Sequence, residues 1–280
     1  MHSQGLLLAL WGMAFVALWL PAAPLRTGLS AGAIVLILLL GLTEGYLTAW
    51  ALLWAAALLG LARAARHPRW RIPALGLLGV LVLALGFGLL PGFVPVRFGE
   101  AMPVKPDSAP YALGFRMDKA LAGFAVLALV LRAEARPDWR RIGVSTATAL
   151  ALALPLVFVP GLWLGYVRWV PGVPDVQWLA IWAATNLLFA AVEEALFRGV
   201  LQRSLAASLG VPAAVIGAAV LFGLAHFGGG AVYVLLATLA GVGYGLAYQM
   251  AGQRLAAAIL THFALNLVHV GFFSYPALAG

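Results

Sequence analysis

Residues 144–167 read VSTATALALALPLVFVPGLWLGYV and carry no charged side chain. About 20 apolar residues cross the hydrocarbon core of a bilayer as a helix, and this run is longer than that. No water is present there to satisfy backbone N–H and C=O groups, so a spanning segment bonds its own backbone or joins a closed barrel. The run lacks the polar/apolar alternation of a barrel strand and therefore predicts a helix. Similar runs recur at roughly 5–23, 28–42, 46–62, 73–95, 119–132, 177–203, 212–228, 231–250 and 255–275. They predict an all-α, polytopic transmembrane helical bundle of about 8–10 helices. The number stays open because Glu44 and Gly45 interrupt 28–62, which reads either as two short spans or as one span with an interfacial piece.

Composition agrees. Hydrophobic residues make up 64% of the chain, charged residues 9%, and the mean hydropathy is +1.02. A soluble domain has about a quarter of its residues charged, so a water-soluble fold is excluded. The net charge of +8 does not point to nucleic acid. The basic residues sit in short loops between apolar runs, and no basic face remains to meet a phosphate backbone. The absence of cysteine excludes disulfides, thiolate metal sites and a cysteine nucleophile. Residues 5–20 resemble a signal-peptide core, but no Lys or Arg precedes them and Pro24 follows Ala22 and Ala23. A retained first helix is expected.

The loops set the orientation. Arg63, Arg66, Arg69 and Arg71 crowd one loop, and Arg132, Arg136, Arg140 and Arg141 another; both are expected on the cytoplasmic side. The proline-rich stretch 97–118 between them faces outward. Trp70 and Trp139 on one side, with Trp163 and Trp169 on the other, suit interfacial belts. Alternation then puts Arg203 and Arg254 inside and the C-terminus outside. The chain divides into N-terminal transmembrane helices, 1–143, and a C-terminal core, 144–280, that carries the chemistry.

That chemistry is visible as charge in the wrong solvent. An ionisable residue inside a membrane helix is costly and marks a functional site by default. Residues 186–205, NLLFAAVEEALFRGVLQRSL, carry Glu193, Glu194 and Arg198; the next run carries His226; ILTHFALNLVHV carries His262, Asn266 and His269. Glu194 and Arg198 are one turn apart on one face, so they pair and lower each other's burial cost. Glu193 points about 100° away, with no partner expected in its own helix, and suits a general base. His262 and Asn266 are again one turn apart and present two donors to a developing oxyanion. At 1.5 Å per residue from the cytoplasmic helix ends, Glu193, His226 and His262 lie about 15, 21 and 12 Å deep, a single slab. His269 nears the outer interface and reads as a bystander. Asn186 either supports Glu193 or packs. Gly228–Gly230 read as a turn, and Gly241, Gly243 and Gly245 as a close helix contact.

Glu193-Glu194-x-x-x-Arg198, Phe222-x-x-x-His226 and His262-x-x-x-Asn266, in that order on successive hydrophobic segments, resemble the three motifs of the CAAX-protease and bacteriocin-processing family of intramembrane proteases. The resemblance covers about 177–275 and is only generic over 1–140. It implies a water-activating Glu193 aided by His226, an oxyanion site made by His262 and Asn266, and Glu194 and Arg198 in support. The family is described both as metalloproteases and as glutamate-type proteases. Zinc takes three protein ligands plus water, and Glu193, His226 and His262 would be its set. There is no HExxH helix, and a metal would leave Asn266 without a task, so the metal-free glutamate mechanism is the expectation.

The loop at 97–118 departs from the farnesyl-protein-processing members and argues against CAAX substrates. The expected partners are the lipid bilayer and a membrane-anchored protein or peptide substrate, with no nucleic acid. Bacterial relatives process peptides, act in self-immunity or cut sorting tails, and the motifs do not separate these. The compact layout resembles bacterial members and implies a bacterial cytoplasmic membrane. A proton-coupled transporter or scaffold on the same fold is the alternative, but transporters often carry internal repeats and none is legible here.

Overall fold

The apolar runs become helices throughout the described residues, 2–131, 137–172 and 174–279 of the computed structural model. The helices are α1 (His2–Ala17), α2 (Ala23–Thr43), α3 (Ala49–Ala64), α4 (Arg71–Gly86), α5 (Met117–Leu131), α6 (Trp139–Trp163), α7 (Val176–Glu194), α8 (Arg203–Leu209), α9 (Val211–Leu224), α10 (Gly230–Met250) and α11 (Leu255–Phe272). Five rods are long and apolar enough to span a membrane: α2, α6, the continuous rod 176–209, the stretch 227–250 and α11. The protein is an integral membrane helical bundle. Arg132 and Arg136 of the second basic loop lie outside the described residues.

The Glu44–Gly45 interruption resolves into two helices. Glu44 caps α2 through its N–H to the Leu40 carbonyl, and Gly45 takes the left-handed conformation, φ 76°. The run expected at 73–95 stops as a helix at Gly86. Left-handed Gly88 and Gly92 flank Pro91 there, and neither conformation continues a helix. The N-terminal run ends at Ala17, short of 23, before Pro21 and Pro24.

The chain forms two compact units, Met1–Glu100 with Leu113–Ala133, and Ala101–Ala112 with Glu134–Gly280. In the first, α1 buries Trp11 and Phe15, and the Trp11 ring meets Phe115, 6.0 Å between centroids. Strands Val96–Arg97 and Gly114–Phe115 pair antiparallel at the head of α5, where Arg116 donates to the Leu85 carbonyl at the end of α4.

In the second unit α10 packs against α6, α9 and α11. Its glycines make this possible. A Cβ on Gly243 would lie 2.6 Å from Ala153 Cβ of α6, and one on Gly241 would lie 3.1 Å from Ala219 Cα of α9. At one end of the unit Arg141 donates to the Met250 carbonyl, bringing the start of α6 to the end of α10. At the other end, 166–172 pairs by backbone bonds with 271–278, and Ala109 joins through the Ala277 carbonyl. The stretch 101–112 is therefore a structured part of this cap: Met102–Pro103 pairs with Pro110–Tyr111, and Asp107 holds Arg168 at 2.8 Å.

Lys105 sits buried in the cap with Nζ donating to the Val170 carbonyl at 2.8 Å, and burial lowers its pKa from 10.5 to about 8. The unfolded chain thus binds this proton more tightly, and stability rises as pH climbs from about 8 toward 10.5. The thermal midpoint of the wild type is expected to rise across that window, and Lys105→Met to remove the rise. A midpoint of equal slope in both proteins would place the pH dependence elsewhere.

Candidate active site

Four elements of the second unit bring the polar residues together. Continuous with α7 is a π-helical segment, Ala195–Gln202, whose i→i+5 hydrogen bonding widens the turn. Glu194, Arg198 and Gln202 then form one stripe facing α10. Arg198 Nη2 donates to the Gly241 carbonyl at 2.7 Å and Gln202 Nε2 to the Gly245 carbonyl at 3.1 Å. With no side chain on either glycine, the two carbonyls are open to the neighbouring helix.

Glu194 and Arg198 pair as expected: Nη1 donates to Oε1 at 3.1 Å, with both side chains fully buried. The guanidinium also lies 4.8 Å from the Phe222 ring centroid and 5.3 Å from that of Tyr244. Glu194 has a second task that spacing alone does not show. His262 Nδ1–H donates to its Oε1 at 2.8 Å. This fixes the ring and turns Nε2 toward Glu193, whose Oε2 lies 3.9 Å away. Glu193, His262 and Glu194 therefore form one group across α7 and α11.

His226 lies just beyond the end of α9. Its Nδ1–H donates to the Phe222 carbonyl at 2.7 Å, which leaves Nε2 as the acceptor of the neutral ring. Phe222 joins the two histidines, its ring centroid 4.6 Å from that of His226 and 5.8 Å from that of His262. Asn266 Nδ2 donates to Asn186 Oδ1 at 3.3 Å, so the amide one turn from His262 is held from α7. His269 donates to the Ser274 carbonyl at 3.2 Å, on the cap side. Gly228 and Gly229 form a 3₁₀ turn with Phe227, and Gly230 is left-handed, φ 85°.

Two tyrosines escaped the sequence reading. Tyr233 packs on Gly229, meets the His226 ring at 5.4 Å, and lies within electrostatic reach of Glu193. Tyr244, fully buried, stacks on His262 with centroids 4.4 Å apart and planes 9° from parallel. Aromatic residues in an apolar helix carry no signal of their own; the glycines flanking Tyr244 were its nearest trace. Tyr244→Phe preserves the stack and is expected to keep wild-type turnover. Tyr244→Ala leaves a cavity worth about 3–5 kcal/mol and frees the His262 ring, so kcat should fall with little change in KM. Equal kinetics in the two variants would remove Tyr244 from the site.

Among the described residues no group of three or more His, Asp or Glu is placed to hold a metal ion. Nδ1 of both His226 and His262 is engaged with a protein oxygen, the arrangement that orients a histidine ligating through Nε2, so these bonds do not by themselves exclude the zinc set Glu193, His226 and His262.

Residues 175–268 match the family model for type II CAAX prenyl endopeptidase, Rce1-like. This segment is similar to that family. It is about a third of the chain, and it contains every member of the cluster: Glu193, Glu194, Arg198, His226, His262 and Asn266. Helices α1 to α6 lie outside the Rce1-like segment. Comparison with curated proteins and with solved structures gives no significant match.

Proposed function

We propose that the protein is an intramembrane endopeptidase that hydrolyses a peptide bond of a membrane-associated protein or peptide with activated water. One observation supports the reading: the Rce1-like match spans the three motifs, and across α7 and α11 Glu193 Oε2 lies 3.9 Å from Nε2 of His262, which Glu194 holds at Nδ1. Glu193 takes a proton from water as its oxygen attacks the scissile carbonyl carbon. His226, its Nδ1–H held by the Phe222 carbonyl, accepts from the same water at Nε2 and orients it. The oxygen of the tetrahedral intermediate becomes negative and receives N–H bonds from Asn266 and from His262, whose ring the Glu194 carboxylate holds at Nδ1. Such preorganised donors are worth most where water is excluded. Collapse breaks the C–N bond, and the leaving amine takes the proton held by Glu193.

The reading is metal-free, with Glu193 as the base. Its test is a comparison of peptides released from membranes of cells expressing wild type or Glu193→Gln, with purified protein assayed after exhaustive chelation. Peptides absent from the variant, together with activity that survives chelation, are expected. Identical peptide sets would refute the peptidase, and activity lost to chelation and restored by zinc would refute the metal-free route.

A further inference from the structure

We propose that the first unit binds one anionic phospholipid in a groove between α2, α3 and α5, with an acyl chain inside and the phosphate held by Arg26 and Arg66. The groove has a volume of about 550 Å³, within the roughly 300–1,000 Å³ of small-molecule sites. Its walls are mostly aliphatic, with Phe124, Thr27 and Ser30 among them, and small residues such as Ala55 on α3 and Ala128 on α5 keep it open. Its charged lining residues are both arginines, and no acidic side chain lines it among the described residues.

The two arginines lie at the same end. Arg26 is in the first turn of α2 and Arg66 follows the end of α3. These helices run antiparallel because the tight connection at 44–48 reverses the chain, with Leu47 N–H bonded back to the Gly41 carbonyl. Leu131, at the end of α5, lines the same mouth, since α5 starts beside the end of α4. From Arg26 the groove follows α2 to Leu38, twelve residues on and about 18 Å deep. One leaflet of hydrocarbon is about 15 Å thick. A basic mouth over an apolar channel one leaflet deep has the dimensions and charge of a phosphodiester with its chain.

A guanidinium recognises a phosphate by paired N–H bonds. Arg26 directs one donor to the Leu20 carbonyl at 3.3 Å, which anchors it at the mouth, and the guanidinium has four further N–H groups. The site involves no residue of the proposed peptidase, so it stands or falls independently of that reading.

The test is native mass spectrometry of the full chain released from vesicles of equimolar phosphatidylglycerol and phosphatidylcholine. Wild type is expected to retain one phosphatidylglycerol per chain. Arg26→Gln/Arg66→Gln should lower that retention at least tenfold, and Ala128→Trp, which fills the groove and leaves the arginines, should do the same. Added phosphatidylglycerol should raise the thermal midpoint of the wild type and of neither variant, whereas inorganic phosphate should leave it unchanged. Retention of both lipids in equal amount, retention unchanged in either variant, or stabilisation by phosphate alone would overturn the proposal.

Discussion

Glu193→Gln is expected to lose about 10²- to 10⁴-fold in turnover, the usual contribution of a positioned general acid–base, while the helices stay folded. Gln has the shape of Glu but cannot take a proton from water. The Glu193 side chain is 15% exposed, unlike the fully enclosed Glu194, so it stands at the lip of the group it forms with His262. Replacing it leaves the buried network around Arg198 intact. Initial rates on a membrane-anchored peptide in proteoliposomes, read beside the thermal midpoint, check this. A variant retaining more than about a tenth of wild-type turnover would take the base role away from Glu193.

The second large effect is on stability. Arg198 and Glu194 are both fully buried and bonded at 3.1 Å, and the same guanidinium holds the Gly241 carbonyl. Removing one partner of such a pair strands the other charge and costs about 3–5 kcal/mol, whereas replacing both with neutral groups of similar volume is often close to neutral. Arg198→Met alone should therefore unfold the second unit at markedly lower temperature or denaturant concentration. The double variant Glu194→Gln/Arg198→Met should recover much of the loss. Unfolding free energies in detergent measure the coupling directly. Single effects that simply add in the double variant would show the pair to be energetically idle. The double variant should still turn over slowly, because the neutral Gln holds His262 less firmly than the carboxylate does.

The helices were legible because charge-free runs have only one way to satisfy their backbone in lipid. The motif residues were legible because ionisable groups there stand out against leucine and alanine. Several features carried no such contrast. The π-helical segment leaves no mark in the sequence, and although Gln202 is one turn on from Arg198, its bond to the Gly245 carbonyl exists only through the packing on α10. The bond from His262 to Glu194 joins residues 68 positions apart, and only the folded packing of α7 on α11 creates it. Spacing placed Glu194 with Arg198 as a supporting pair, and the bond from His262 gives that support a second object that spacing does not show. The stretch 97–118 showed proline and little periodicity, and its two short ladders and its bonds to the C-terminal cap depend on partners far along the chain.

The carbonyls of Gly241 and Gly245 have a mechanical consequence. Arg198 and Gln202 hook α10 at two points one turn apart. A slide of α10 by one turn, about 5.4 Å, would match only one hook to a glycine carbonyl and would drive a side chain against the other. A swivel would break both. Doubly pinned in this way, α10 is the fixed jaw of the site. For the proposed peptidase, the wall that moves to admit a substrate is one without such pins.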